Sequence, residues 1–409
     1  MRLLHTSDWH LGQHFMGKSR QAEHRAFVDW LVATVLDRSV DAVVVAGDIF
    51  DTGAPPSHAR ELYNHCVELV HDASATLVVL GGNHDSVAML GENRRLLRRL
   101  GTHVVPARAE PLAEQVLLLR RRDGSPGAML CAVPFLRARD LLLSRAGDSA
   151  EDKQRALQDA IRDHYAQLHA LAVEQSAAHG GLPIVATGHL TTVGASASEA
   201  VREIYVGALE AFPTTAFPPA DYIALGHIHR PQKVGGLEHI RYSGSPIPLG
   251  FDEARQVKEV LVVDFDLAGL QAVTPVPVPC FQALATVRGT LAELPAALQA
   301  AVAAAGAPGP VWIDVEVATD DYLPDLPQRV AALADGLPVE LLRVRRARGT
   351  AAGRLDAAPG ATLDDLDPDQ VFDRRLAVET LDPGLVERLR ACHRAVRAGL
   401  DAEGGACAS

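Results

Sequence analysis

Paired thiols are missing from this chain. Its five cysteines, Cys66, Cys131, Cys280, Cys392 and Cys407, are scattered without the short spacings of a disulfide framework or a thiolate metal site. That argues against structural zinc and iron–sulfur clusters, and free thiols in a reducing compartment are expected. No run of about 20 apolar residues occurs, the alanine-rich stretch near 296–305 being too short and weak. The amino terminus enters a strand with no basic and apolar leader, so a cytoplasmic protein is expected. Positive charge is also scarce: 39 Lys and Arg stand against 51 Asp and Glu, a net charge of −12. A polyanionic ligand would have to be met by local basic surface, by bound cations or by a partner. In other respects the composition is that of a globular protein, 409 residues long and 48% hydrophobic, with enough chain for two or three domains.

Against that background, five short apolar runs each end in residues that bind metal. Leu3–Leu4, Val43–Ala46, Leu77–Leu80, Ile184–Ala186 and Tyr222–Leu225 lead respectively to five sets of candidate ligands. These are Asp8 with His10, Asp48, Asn83 with His84 and Asp85, His189, and His227 with His229. Short β-branched or leucine-rich runs bounded by glycine or polar residues suit strands buried on both faces. Amphipathic stretches near 19–37 and 57–72 are long enough for crossover helices. Right-handed crossovers align the carboxyl ends of parallel strands, so one sheet edge is expected to collect every ligand.

Mixed carboxylate, amide and imidazole ligation suits manganese or iron, with zinc as the alternative. The seven residues Asp8, His10, Asp48, Asn83, His189, His227 and His229 are too many for one tetrahedral ion. They fit two divalent ions that share a bridging carboxylate and keep positions open for water. Ion pairs of this kind, about 3.5–4 Å apart, hydrolyse phosphate esters. Any one Asp-x-His or Gly-His pair is ordinarily a turn residue or a satisfied polar group. The signal is the ordered set of five.

The flanking residues narrow the reading. His5–Gly12, Ala46–Gly53, Gly82–Ser86, Thr187–Ala195, Ala224–His229 and Tyr242–Leu249 closely resemble the SbcD family, nuclease subunits of bacterial SbcCD complexes within the calcineurin-like metallophosphoesterases. Val371–Leu376 continues the resemblance more weakly. It implies an α/β fold: a four-layer β-sandwich flanked by helices, plus a small α+β capping domain and a carboxyl-terminal helical segment that binds a partner. It also implies one ion held by Asp8, His10, Asp48 and His229, and a second by Asp48, Asn83, His189 and His227, both most simply manganese. His84 matches the family's catalytic histidine, which protonates the leaving oxygen or stabilises charge on the phosphate. Asp85 is expected to orient His84 or a neighbouring ligand, or else to be a turn or helix-cap carboxylate.

Further along, Leu117–Leu119 and Met129–Ala132 form a hairpin around Asp123-Gly124, and a polar helix is expected over 151–178. Val260–Phe265 reads as the last strand of a nuclease domain spanning 1–276, with Pro275, Pro277 and Pro279 marking a connector. Residues 281–346 read strand, helix, strand, helix, strand and resemble the family's DNA-contacting cap. Residues 347–361 read as a flexible tether. Over 362–402, Thr362 and Asp365 suggest a capping box, and Leu385, Leu389, Cys392, Val396 and Leu400 lie at helical spacing. By resemblance this segment docks on an SbcC-like SMC-type ATPase, in a complex of two copies of each protein, and 403–409 is a disordered tail. The helices near 19–37 and 57–72 resemble the pair through which family members meet as homodimers.

Arg94, Arg95, Arg98 and Arg99, Arg120–Arg122, Arg137 with Arg139, and Arg343, Arg345, Arg346 and Arg348 are candidate DNA contacts; each cluster also reads as a solvated face or as internal salt bridges. The leading function is an ATP-regulated DNA nuclease: a 3′–5′ exonuclease on double-stranded ends and an endonuclease on single strands and hairpins, serving repair, recombination and replication. A phosphatase of the same superfamily and a non-catalytic DNA-end scaffold are the alternatives.

Overall fold

The unbroken apolar runs become the central strands of two stacked sheets. The computed structural model describes residues 1–141, 149–196, 211–318, 325–347 and 382–405, with Asp369, Phe372, Asp373 and Leu376. In chain order the elements are β1 (Arg2–Thr6), the hairpin β2 (His14–Phe15) and β3 (Lys18–Ser19), α1 (Gln21–Asp37), β4 (Ala42–Val45), α2 (Ser57–Asp72), β5 (Thr76–Leu80), α3 (Val87–Gly91), α4 (Arg94–Arg99) and β6 (Thr102–Val105). They continue as β7 (Val116–Arg120), β8 (Pro126–Cys131), α5 (Ala138–Leu141), α6 (Ala150–Ala177), β9 (Ile184–His189), β10 (Tyr222–Gly226), β11 (Gln232–Val234), β12 (Leu237–Tyr242), β13 (Glu259–Asp266) and β14 (Gly269–Pro277).

One sheet has the order β14-β13-β1-β4-β5-β6 and the other β11-β12-β10-β9-β8-β7. Strands β1, β4, β5 and β6 run parallel, with α1 and α2 as crossovers. Side chains alternate across a strand, so the inner faces meet through Leu3, Val44, Val78, Leu130, Val185 and Ala224. The next residues along the first sheet, Leu4, Val43, Val45 and Leu77, pack instead against Phe27, Leu31, Val67 and Val70 of α1 and α2. On the far side α6 covers the second sheet with Leu157, Ile161, Tyr165 and Leu168. Each such side chain, once fully buried, contributes roughly 1.5–3 kcal/mol. The result is four layers, helix on sheet on sheet on helix.

Two expectations are corrected. The ligand-bearing strands do not share one sheet: β1, β4 and β5 lie in the first, β9 and β10 in the second. An apolar run records that both faces of a strand are covered, not which sheet it joins. Nor is Val260–Phe265 the last strand, since β14 follows as an antiparallel partner of β13 and contains Pro275 and Pro277. Prolines, which lack an N–H, are tolerated there because β14 lies at the sheet edge.

Beyond β14 comes a separate parallel sheet of β15 (Leu284–Gly289), β16 (Val311–Val317) and β17 (Val339–Arg346), with α7 (Leu294–Ala303) and α8 (Leu326–Leu333) and a core of its own. It meets the first domain where Phe15 stacks on Trp312 at 6.2 Å and Lys18 pairs with Glu340. The last helix, α9 (Pro383–Gly405), reaches into the segment expected to be disordered. Past Ala347 the expected tether lies outside the described residues, as do Thr362 and Asp365. Among the described residues no helix is long and apolar enough to cross a membrane.

The arginine clusters separate. Arg343 and Arg345 pair with Asp314 at 2.8 and 3.3 Å, and Arg120 and Arg122 donate to carbonyls of Gly124, Val40 and Val35. Arg139 pairs with Asp140, while Arg137 donates to the Asp85 carbonyl. Arg94, Arg95, Arg98 and Arg99 stand exposed on α4, with no ion pair among the described residues. Arg348 lies outside them.

Candidate metal centre

The carboxyl ends of β1, β4 and β5 face those of β9 and β10, and the loops that leave them are strained. Asp8, His10, Asp48 and His227 have φ of 54°, 46°, 51° and 93°, values that non-glycine residues rarely adopt. Each costs of order 1–3 kcal/mol and persists only where the surroundings enforce it. Here the enforcement is visible. The Asp8 amide donates to Gly47 O at 3.0 Å and the His10 amide to Asp48 O at 3.1 Å. The amides of His227 and His84 donate to the carboxylates of Asp8 and Asp48, each at 2.9 Å. The Asp85 carboxylate accepts from Ile49, Phe50 and Gly82 amides at 2.8–3.1 Å, clamping the Asp48 loop to the Asn83 loop. Asp85 therefore braces backbone and caps no helix; Ser86 caps α3. The loops after β4 and β5 run so close that a Cβ on Gly82 would collide with the Asp48 side chain, and the two sheets approach so closely that one on Gly226 would collide with the Ala46 carbonyl.

These loops bring all seven expected ligands together. Ligand atoms of Asp8, His10 and His229 lie within 4.8 Å of one another, as do those of Asp48, His189 and His227, and those of His10, Asp48 and His84. Asp48 Oδ2 sits between the first two groups, 3.7 Å from His10 Nε2 and 3.3 Å from His189 Nε2. Asn83 Oδ1 joins the second group, 2.8 Å from His189 Nε2. Asn83 and His84 are half-buried while the other six are buried, so the Asn83-His84 loop is the side open to a substrate.

The residues present fit a pair of cations. Nε2 of His10 and Nε2 of His227 are buried with no hydrogen-bond partner among the described residues, an arrangement that ordinarily costs 1–3 kcal/mol per group. A divalent ion would supply the missing partner, and the donor set of carboxylate, amide and imidazole is one that first-row ions accept. Electrostatics point the same way. Burial would raise the Asp48 carboxyl, but the neighbouring His189, His10 and His84 outweigh it and hold it well below the usual carboxylate range. Burial would lower His189, yet the charge and hydrogen bond of Asp48 push it up to about 9. His227 is driven well below its ordinary value by burial and by His189 beside it. Burial and the Asp48 charge push Asp85 up to about 6, against its three amide donors.

A second ring of groups aims the imidazoles. His189 Nδ1 donates to Ala46 O at 2.9 Å, His84 Nδ1 to Asp51 O at 2.8 Å, and His10 Nδ1 lies 3.2 Å from Asp51 Oδ1. His229 Nδ1 donates to Glu253 Oε1 at 3.1 Å, and Lys258 Nζ donates to Glu253 Oε2 at 2.6 Å, both partners buried. Burial would raise the Glu253 carboxyl, but the His229 hydrogen bond and the Lys258 ammonium hold it well below its usual range; burial lowers Lys258 against the pull of Glu253. Sequence reasoning missed Asp51, Glu253 and Lys258 as supporting residues. Asp51 stands inside the Ala46–Gly53 motif and could have been found there. Glu253 and Lys258 follow no motif with metal-ligand spacing.

Two family models match the chain. One described as calcineurin-like phosphoesterase matches residues 1–231, and one described as type 5 capsule protein repressor C-terminal domain matches 280–380. The SbcD subunit of the SbcCD nuclease of Escherichia coli strain K12 is 52% identical over 390 residues, covering 95% of this chain and 96% of that protein. The chain belongs to the SbcD family. Its relative from Rhodobacter capsulatus, again the SbcD subunit of an SbcCD nuclease, is 36% identical over 387 residues, 91% of this chain and 93% of that one. Membership of the SbcD family makes the chain a metal-dependent phosphodiesterase of the nuclease class.

Proposed function

We propose that this chain cuts DNA with two divalent ions, manganese foremost, as a 3′–5′ exonuclease on double-stranded ends and an endonuclease on single strands and hairpins. The observation that carries the reading is the pair of ligand groups meeting at Asp48, with His84 beside them on the open side. Asp8, His10, Asp48 and His229 would hold one ion, and Asp48, Asn83, His189 and His227 the other. Such ions supply an activated water and offset charge on the attacking and leaving oxygens. The protein's own part is to fix the ligands through the amide clamps and to present His84. Because Asp51 O accepts from His84 Nδ1, the ring is aimed so that Nε2 is the nitrogen that meets the leaving oxygen, to which it gives a proton, or the phosphate charge, which it stabilises.

The chain would work in the cytoplasm with an SbcC-like ATPase, two copies of each protein, in repair, recombination and replication, with a homodimer formed through the nuclease domain at α1 and α2. On α9, Leu385 and Leu389 are half-buried and Val396 is 58% exposed, which leaves apolar surface for the ATPase. The test is cleavage of a labelled hairpin-ended duplex with manganese, magnesium or chelator, with and without the ATPase, comparing wild type with His84→Gln. The variant is expected to lose 10²- to 10⁴-fold in rate while keeping its metal. Wild type that binds metal yet releases phosphate from monoesters faster than it cuts DNA would make the chain a phosphatase.

A further inference from the structure

We propose that the turn Phe251–Glu253 transmits the position of the β15–β17 domain to the metal ligand His229, making Phe251 and Glu253 positioning residues. The proposal rests on the reading of His229 as a ligand. Glu253 is 0% exposed, and its carboxylate accepts from His229 Nδ1, from Lys258 Nζ and from the Leu249 amide at 3.0 Å. Lys258 Nζ also donates to the carbonyl of His229 at 3.0 Å. Ring and backbone of His229 are thus held by one buried network.

Two residues earlier, Phe251 faces the other domain. The Arg343 guanidinium of β17 stands 5.9 Å over its ring, and with Phe15 of its own domain, whose ring is 5.1 Å away, Phe251 packs in one cluster with Leu284, Trp312 and Leu342 of the other. Residues 251–253 form a single 3₁₀ turn, whose backbone leaves little freedom between first and last residue. A shift of Phe251 therefore moves Glu253, and Glu253 moves the His229 ring. Beside this contact a cleft of about 990 Å³ opens, lined by Phe15, Phe251, Arg255 and Arg343. Partners that orient a ligating histidine are worth about 10- to 100-fold in metal affinity when removed; misalignment through Phe251 should produce the lower part of that range.

The experiment measures manganese binding to the full-length protein by electron paramagnetic resonance, with thermal unfolding in chelator alongside, for wild type, Phe251→Ala, Phe251→Leu, Leu342→Ala and Glu253→Gln. Expected results are a weakening of one of two manganese sites by about 10-fold in Phe251→Ala, a smaller loss in Leu342→Ala, and recovery in Phe251→Leu. Leu342→Ala thins the cluster from the far side and decides the matter if Phe251→Ala does not fold. Wild-type affinity in both alanine variants would overturn the proposal, whether or not Glu253→Gln binds more weakly. Wild type that binds no manganese would instead remove the metal-centre reading itself.

Discussion

Glu253→Gln and Lys258→Met, singly and together, separate fold stability from metal affinity. Glu253→Gln keeps the shape of the side chain but strands the Lys258 ammonium, 5% exposed, among the neutral acceptors His229 O, Ser245 Oγ and Gln256 Oε1. Removing one member of a buried ion pair costs about 3–5 kcal/mol. The same change takes the carboxylate from His229 Nδ1 and should lower manganese affinity 10- to 100-fold, about 1.4–2.7 kcal/mol. Adding Lys258→Met removes the stranded charge. What remains is the loss of donors to His229 O and Ser245 Oγ, roughly 1 kcal/mol each, so the double variant should recover to within about 2 kcal/mol of wild type. Its manganese affinity should stay low. Urea unfolding in chelator reads the first quantity and manganese titration the second. A double variant as unstable as the single would mean that the ammonium is not what Glu253 answers. Wild-type manganese affinity in both would mean that Glu253 does not aim His229.

Two further predictions follow from charge. His5 is fully buried, donates from Nε2 to Leu225 O and accepts at Nδ1 from the Tyr222 hydroxyl, and burial lowers it to about 3. Between that value and an unfolded value of about 6.5 the unfolded chain binds the extra proton, so stability in chelator should rise with pH across this window, and His5→Gln should reduce the slope by about 1.4 kcal/mol per pH unit. Equal slopes in urea unfolding at pH 5 to 6 would contradict the assignment. On α4, replacing Arg94, Arg95, Arg98 and Arg99 by alanine should flatten the salt dependence of DNA binding by about 0.9 in logarithmic slope for each arginine that meets a phosphate. An unchanged slope would take α4 off the DNA path.

What the sequence disclosed was local. Each ligand lies within a few residues of an apolar run, so strand and ligand could be read from one window. The assembly of those windows was not readable in the same way, because β-branched runs such as Val43–Val45 and Ile184–Ala186 look alike whichever sheet they join. Arginine clusters were equally opaque: Arg343 and Arg345 are answered by Asp314, some thirty residues away, and only pairing of β16 with β17 brings them together. Glu253 was hidden for a related reason. It reaches His229 over a sequence separation of 24, through a fold that no spacing rule encodes.

The strain in the ligand loops bears on how the centre works. Among the described residues, four of the seven non-glycine positions at positive φ are candidate ligands, together worth several kcal/mol of unfavourable backbone energy. The amides of Asp8, His10, His84 and His227 and the Asp85 clamp hold the loops through protein hydrogen bonds, backed by the core between the two sheets. Ligands that stand in place beforehand lose little freedom when an ion arrives, so the interaction with the ions need not be consumed in ordering loops. It remains available for gripping a phosphate in the geometry of reaction. The supports that involve one side chain acting on another, Asp51 on His10 and Glu253 on His229, are then the places where the centre can be adjusted, and Glu253 is the one that reaches toward the second domain.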